Sequence, residues 1–171
     1  MICKKLQDAI NSQINAELWS AYLYLSMSLD AESKALKGAA SWFWVQWLEE
    51  QDHARIFQNF LNSQEVRVEL MPIVSVPTEW PTLLHMFKDT LEHEMEVTAM
   101  IRRLVSIARD QKDCLTFNRL QWFVDEQSEE ERQARDLINL LEFIGESPYG
   151  LLQFDRELGE RRYHKPPVLD E

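Results

Sequence analysis

Apolar side chains recur every three to four residues along four long stretches of the chain, which is the spacing of one face of an α-helix. Asp113 is predicted to cap the fourth helix, Gly145 to end it, and Pro81 to lie in the first turn of the third. A single domain over residues 1–171 accommodates all of these elements. The predicted segments are helices over 4–31, 35–61, 82–108 and 113–144, a short helix over about 149–162, and a polar, loosely ordered tail over 163–171.

Helices of matched length in one small domain predict an all-α four-helix bundle. The connections between the first and second helices, and between the third and fourth, span only a few residues, so each pair is expected to be antiparallel. Residues 62–81 form a much longer connection, and a segment of that length can cross the whole bundle. The second and third helices are therefore expected to run parallel, joined by one long crossover.

Tryptophans on the second helix predict a contact between subunits. Trp42 and Trp44 are two positions apart, so their side chains point about 200° apart around the helix. A helix that is apolar on two sides is buried on two sides, and a four-helix bundle covers only one of them. The other side is expected to meet a second subunit. The alternative is a pair of partly exposed aromatic side chains.

The formal net charge of −11 argues against a nucleic-acid partner, which requires basic patches. An acidic surface can attract small cations, but solubility alone also explains it. Cys3 and Cys114 match neither a metal-binding spacing nor a disulfide scaffold. The N-terminal residues do not form a signal peptide, and no apolar run reaches the length of a membrane span. The expected compartment is the cytoplasm, with no membrane partner.

Each long helix carries one glutamate within its apolar stripe, close to the middle of the helix. The four are Glu17, Glu50, Glu94 and Glu130. His53 follows Glu50 at Glu-x-x-His spacing, and Gln127 precedes Glu130 by one helical turn. Helix midpoints meet at one level of a bundle whichever way the helices run. We therefore expect four carboxylates and one imidazole to converge inside the core.

Convergent carboxylates in an apolar core require a cation, because like charges at close range otherwise force several of them to be protonated. Oxygen-rich ligands with one nitrogen suit hard or borderline divalent metals, and iron fits an inward Glu-x-x-His set in a helical bundle. A structural zinc would favour thiolates and imidazoles, which are scarce here. Any one of these glutamates alone is better explained as a boundary residue whose carboxylate reaches water. Because all four are expected at the same level of the bundle, a metal site is the better explanation for the whole set.

Three segments resemble the non-haem bacterial ferritins, and the similarity extends from Ile2 to about Tyr163. The most specific is TFNRLQWFVDEQSEEER at residues 116–132, which is similar to the fourth-helix signature of that family. NAELWSAYLYLSMS on the first helix and LEEQDHA on the second also match. The resemblance implies a ferritin-like bundle in a 24-subunit cage, with the short fifth helix lining an axis. The apolar residues of that helix are Tyr149, Leu151, Leu152, Phe154 and Leu158.

A ferroxidase centre with two irons is also implied by the resemblance. The implied ligands of the first iron are Glu17, Glu50 and His53, and those of the second are Glu50 as a bridge, Glu94 and Glu130. Gln127 would lie beside the pair, and Tyr24 would accompany Glu94 as an outer partner. Trp122 matches an aromatic residue that flanks the centre and could donate electrons, although Tyr24 and Trp122 could equally be ordinary core residues.

A third iron site near the centre is implied by the same resemblance. Its acids would be Glu49, Glu126 and Glu129, together with Glu130. The alternative for the first three is a solvated acidic face, since charged residues on a helix surface need no ligand.

The implied function is iron storage and detoxification by a cage that oxidises Fe(II) with dioxygen or hydrogen peroxide and deposits ferric mineral inside. Bacterioferritins and di-iron oxygenases generally carry two Glu-x-x-His motifs, whereas this chain has one. Gln51 stands where bacterioferritins place a haem ligand, so no haem is expected. The alternatives are a di-iron oxidase or peroxidase that stores no iron, and a metal-free helical scaffold.

Overall fold

The computed structural model of the chain describes residues 2–169. Its helices are α1 (Lys4–Ser33), α2 (Lys37–Ser63), α3 (Leu83–Asp110), α4 (Cys114–Ile144) and α5 (Pro148–Leu158), followed by a short 3-10 turn at Pro167–Leu169. The predicted all-α bundle is confirmed, and the ends of the long helices differ from prediction by at most two residues. Within the described residues, no helix is both long enough and apolar enough to span a bilayer.

Side-chain caps fix the starts of α3 and α4. Asp113 accepts a hydrogen bond from the Thr116 amide at 3.0 Å, as predicted. Thr82 accepts from the His85 amide at 3.2 Å, so α3 begins one residue after this cap. The prediction that Pro81 lies in the first turn of α3 was wrong, because Pro81 precedes the cap. Gly145 ends α4 with a φ of 58°, a conformation that glycine adopts without steric cost.

The crossover between α2 and α3 runs beside α1 along most of its length. Its path is marked by three hydrogen bonds, from the Glu69 amide to Asn11 Oδ1 at 2.9 Å, from Ser26 Oγ to the Pro77 carbonyl at 2.6 Å, and from the Trp80 amide to Asp30 Oδ2 at 3.1 Å. These partners on α1 advance steadily from its first half to its last turn. The crossover therefore spans the bundle, and α2 and α3 are parallel as predicted.

The apolar core is divided into two clusters by a polar layer. The first core cluster includes Tyr24, Met27, Phe43, Phe87 and Leu141, and the second includes Ile10, Ile14, Phe57, Ile101 and Phe123. On every long helix the residues between the clusters are buried polar groups. This polar layer consists of Glu17, Glu50, His53, Glu94, Gln127 and Glu130. The apolar packing on both sides holds the four helix midpoints at one level.

Part of the C-terminal tail, which the sequence predicts to be loosely ordered, contacts α2 and the second core cluster. Pro166 is buried, and Val168 and Leu169 pack on the second core cluster. Apolar side chains in this otherwise polar segment supply the burial that orders it. Residues 170 and 171 lie outside the described residues.

The tryptophans on α2 have different environments. Trp42 is buried inside this chain, with its ring 5.1 Å from those of Phe43 and Phe87. Trp44 is 46% exposed and its ring lies 4.3 Å from that of Trp47. The side of α2 that its own chain leaves open is therefore the Trp44 side.

Helix α5 docks on the N-terminus of α2 through Asp155. Its carboxylate accepts hydrogen bonds from the amides of Gly38 at 3.1 Å and Ala39 at 2.8 Å, which have no partners within α2 itself. Phe154 and Leu158 are buried as expected of a packed helix, whereas Tyr149 and Leu152 are exposed. The helix ends at Leu158, four residues before the predicted end at 162.

Replacing Gly38 with alanine is expected to displace α5. A Cβ at Gly38 would lie 1.5 Å from the Asp155 carbonyl oxygen, so the α5 backbone must move. We expect a loss of about 1–3 kcal/mol in the free energy of unfolding, measured by chemical denaturation. Gly150→Ala, in the same helix, is the comparison: its Cβ would meet a side-chain methyl, Ile144 Cγ2 at 2.7 Å, rather than backbone, so a smaller loss is expected. Equal stability of the Gly38→Ala and wild-type proteins would contradict this docking.

Candidate metal centre

The polar layer places one carboxylate from each long helix in the middle of the bundle. Glu17 comes from α1, Glu50 from α2, Glu94 from α3 and Glu130 from α4, and all four are at most 4% exposed. Each occupies the inward position that the spacing of its own helix dictates. Water cannot solvate these groups, so their charges must be matched by protons or by a cation.

Glu17, Glu50 and His53 form the tightest group of metal-binding atoms in residues 2–169. One ligand atom from each lies within 4.8 Å of the other two, and His53 Nδ1 is 3.3 Å from Glu50 Oε2. Gln13 donates to Glu17 Oε1 at 2.9 Å and orients that carboxylate. Glu17 Oε2 and His53 Nε2 are buried without a hydrogen-bond partner. These open lone pairs are what a cation would fill.

Glu94 and Glu130 lie close enough to Glu50 to repel its charge, and both are held by uncharged donors. Tyr24 donates its hydroxyl to Glu94 Oε1, and Gln127 donates to Glu94 Oε2 at 3.0 Å. Gln46 donates to Glu130 Oε2 at 2.7 Å. Such donors fix the orientation of a carboxyl group and bring no charge of their own, so its negative charge must be balanced by a proton or by a cation.

Burial dominates the electrostatics of this layer. It raises the pKa of Glu17 to about 8, with repulsion from Glu50 adding to the effect. It also raises the pKa of Glu94 to about 8, with repulsion from Glu130 second, and the pKa of Glu50 well above its usual range. Without a cation, these carboxyls retain protons at neutral pH. A divalent ion that binds here releases those protons.

The predicted third-site acids are less closely grouped. Glu126 Oε1 lies 3.9 Å from His53 Nε2, at the edge of the polar layer. Glu49 is hydrogen-bonded by Arg161. Glu129 is exposed and accepts from Gln133 on its own helix at 3.1 Å. The structure therefore brings Glu126 to the centre, pairs Glu49 with an arginine and leaves Glu129 at the surface.

Aromatic side chains surround the layer. The Trp122 ring lies 5.6 Å from the His53 ring, and Tyr24 contacts Glu94 directly. Gln51 donates to the Trp47 carbonyl at 3.0 Å, within its own helix.

Comparison with known proteins shows the family to which this chain belongs. Residues 7–144 match the family described as Ferritin, ferritin-like domain. The chain belongs to the ferritin-like family. The matched residues span all four long helices and the crossover, and therefore the whole polar layer.

Curated ferritin relatives cover nearly the whole chain. A bacterial non-heme ferritin of Bacteroides fragilis (strain 638R) is 39% identical over 161 residues, covering 94% of this chain and 100% of the relative. A bacterial non-heme ferritin of Staphylococcus aureus (strain USA300) is 34% identical over 163 residues, covering 95% and 98%. The resemblance to non-haem bacterial ferritins is thereby confirmed.

Solved ferritin structures share the fold closely. The crystal structure of a novel open pore ferritin from the hyperthermophilic archaeon Archaeoglobus fulgidus matches with a TM-score of 0.94 and 44% identity, covering 95% of this chain and 100% of that one. A closed form of the same ferritin, engineered by site-directed mutagenesis, matches with a TM-score of 0.94 and 44% identity over 96% and 100%.

Sequence reasoning missed several residues that surround the layer of this ferritin. Gln13 and Gln46 each lie four residues before a layer glutamate, on the same helix face. An amide at that spacing inside an apolar stripe is a signal that could have found them. His93 is buried and lies 2.7 Å from Ser20 Oγ, one helix away. Nothing in the local sequence indicates Arg161, because its partners lie 112 and 115 residues earlier.

The raised pKa values predict how the stability of the metal-free ferritin depends on pH. For Glu17 the folded state binds more protons than the unfolded state between about pH 4.5 and about pH 8, so the free energy of unfolding falls as pH rises through that window. Glu17→Gln should flatten this fall, by at most about 1.4 kcal/mol per pH unit. Chemical denaturation at a series of pH values measures it.

Glu92→Gln, on the exposed side of α3, controls for the loss of a surface carboxylate. Identical pH profiles for Glu17→Gln and the wild type would show that Glu17 is ionised in the metal-free layer.

Addition of Zn(II) should raise the free energy of unfolding of the wild type at pH 8, since an ion that binds only the folded state stabilises it.

Proposed function

We propose that this ferritin stores and detoxifies iron by oxidising Fe(II) in its polar layer and depositing the ferric product inside a cage. The observation that carries the proposal is the set of four buried carboxylates and one imidazole at the centre of an apolar bundle, where Glu17 Oε2 and His53 Nε2 have no hydrogen-bond partner. Membership of the ferritin-like family supports it. A metal-free scaffold offers no reason for a buried layer of like charges, which apolar side chains would replace at no loss of stability.

Two Fe(II) ions fit the layer as substrates. Glu17, Glu50 and His53 supply the first set of ligands, supported by their mutual distances within 4.8 Å. Glu50 also faces Glu94 and Glu130, whose repulsion raises its pKa, so a second ion bridged by Glu50 would relieve that repulsion. Gln127 and Tyr24 orient Glu94 by hydrogen bonds. Oxygen ligands with one imidazole suit iron.

The reaction balances as two Fe(II) ions giving one electron each to dioxygen. With two protons this yields two Fe(III) ions and hydrogen peroxide, and peroxide in turn can accept two electrons to give water. Protons that the buried carboxyls release when Fe(II) enters are available at the site. Fe(III) is smaller and more highly charged than Fe(II), so after it leaves the layer it takes hydroxide from water, releases protons and deposits as insoluble ferric mineral.

Removing His53 or Glu50 is expected to slow the oxidation. His53→Ala and Glu50→Gln should each reduce the initial rate by more than about tenfold, since even partners outside the ligand set contribute that much to metal sites. Mixing metal-free protein with Fe(II) under air and following ferric absorbance measures the rate. His164→Ala and Glu92→Gln, both exposed, are the matched controls. Wild-type rates in His53→Ala would contradict the assignment of the first ion.

We propose that the chain assembles in the cytoplasm into a homo-oligomeric cage of 24 subunits. The support is an apolar surface that the chain itself does not cover. Tyr22 and Leu29 are 51% and 62% exposed and lie seven residues apart on one face of α1. Trp44 on α2 is 46% exposed, and the crossover exposes Leu70 and Val74. Exposed apolar surface of this extent marks interfaces between proteins.

Lysine substitutions at the exposed apolar residues are expected to break the cage into smaller oligomers. The triple variant Tyr22→Lys, Leu29→Lys, Trp44→Lys should dissociate into small oligomers with intact helix content, because cationic side chains cannot be buried unpaired. Native mass spectrometry and circular dichroism measure the two properties. Trp44→Phe, which stays apolar, serves as the control and should remain a cage. A full-size cage in the triple variant would show that subunits meet elsewhere.

A further inference from the structure

We propose that Arg161 acts as a built-in cation at the edge of the polar layer, holding Glu49 in an ion pair so that this carboxylate is not available to a third metal ion. The third ion then binds only when the C-terminal segment 159–169 moves away. This inference rests on the proposed function, because it concerns how many ions the same centre holds. It differs from the third-site prediction, in which Glu49 was a free ligand.

The guanidinium of Arg161 is held from three sides. One terminal nitrogen donates to Glu49 Oε2, and the other donates to Gln46 Oε1 at 2.7 Å. The guanidinium carbon lies 4.4 Å from the centre of the Trp42 ring, which favours a cation over its face. The side chains of Arg161 and Glu49 are each only 17% exposed. Charge-assisted hydrogen bonds in such a site are strong.

Gln46 links this arginine to the metal centre. Its carbonyl oxygen accepts from Arg161, and its amide nitrogen donates to Glu130 Oε2 at 2.7 Å. The amide therefore points its negative end at the cation and its positive end at the carboxylate. A layer glutamate and the C-terminal segment are thus connected through one buried side chain.

The charge of Arg161 acts on two of the acids of the predicted third site. Burial raises the pKa of Glu49 to about 7, and Arg161 opposes that rise. Burial also raises the pKa of Glu126, and Arg161 again opposes it. The ion pair itself engages Glu49 Oε2, so a metal ion that bound this carboxylate would have to displace the guanidinium or share the carboxylate with it. Two cations on one partly buried carboxylate repel each other.

Further contacts anchor the segment that carries Arg161. The Tyr163 hydroxyl donates to Asp52 on α2, and Pro166 is buried. Val168 and Leu169 pack on the second core cluster. Displacing Arg161 requires these contacts to loosen or the side chain to leave its site. The arginine is therefore held in place rather than free to exchange with solvent.

Zn(II) binding to the assembled, metal-free protein tests the proposal without any redox step. Isothermal titration calorimetry should give two ions per subunit for the wild type and three for Arg161→Ala. Arg162→Ala is the matched control, because Arg162 is exposed and donates to the backbone oxygens of Gly159 and Arg161. It should bind two. Arg161→Lys, which restores a cation, should also bind two.

A second variant separates the loss of charge from a structural effect. If Glu49 is the ligand that Arg161 releases, the double variant Glu49→Gln, Arg161→Ala should return to two ions per subunit. Three ions in the wild type, or two in Arg161→Ala, would overturn the role of Arg161 while leaving the two-ion centre intact. Fewer than two ions in the wild type would instead overturn the proposed function and this inference with it.

Discussion

The structure depends on the burial of four carboxylates at one level of the bundle. The pKa values of Glu17, Glu50 and Glu94 are raised chiefly because the surrounding apolar core excludes water, and repulsion from neighbouring carboxylates adds to the effect. In the metal-free state protons satisfy these three carboxyls, and under the proposed function divalent cations replace the protons. The burial that opposes folding at high pH would then also provide the affinity for iron. Function and stability are coupled through one set of charges.

Burial of the two apolar core clusters offsets the free-energy cost of burying the polar layer. They lie on opposite sides of the polar layer and include Phe43 and Phe87 in the first and Phe57 and Phe123 in the second. Burial of these side chains supplies the driving force that holds the helix midpoints together. Uncharged donors from within the core, Gln13, Gln46 and Gln127, then orient the carboxylates. Apolar packing therefore sets the positions of the helices, and the glutamine amides set the orientations of the carboxylates.

Most of the fold could be predicted from the sequence because its signals are local. The period of apolar residues predicted the long helices, the long link between α2 and α3 predicted the crossover, and Asp113 and Gly145 marked helix ends. Pro81 was misplaced because a threonine cap outweighed the preference of proline for a first turn. The packing of the tail was not predicted because Val168 and Leu169, near its end, become partly buried only through contact with the second core cluster.

The sequence alone determined which side chains enter the polar layer, since helical periodicity and the position of each glutamate along its helix require no partner to be known. Only the tertiary structure decided what surrounds them. Ser20 meets His93 across two helices, and Arg161 reaches Gln46 and Glu49 from more than a hundred residues away. Local patterns contain no information about such pairs, because the contacts arise from the path of the whole chain. The proposed limit on the number of ions per subunit rests on one such pair, Arg161 with Glu49.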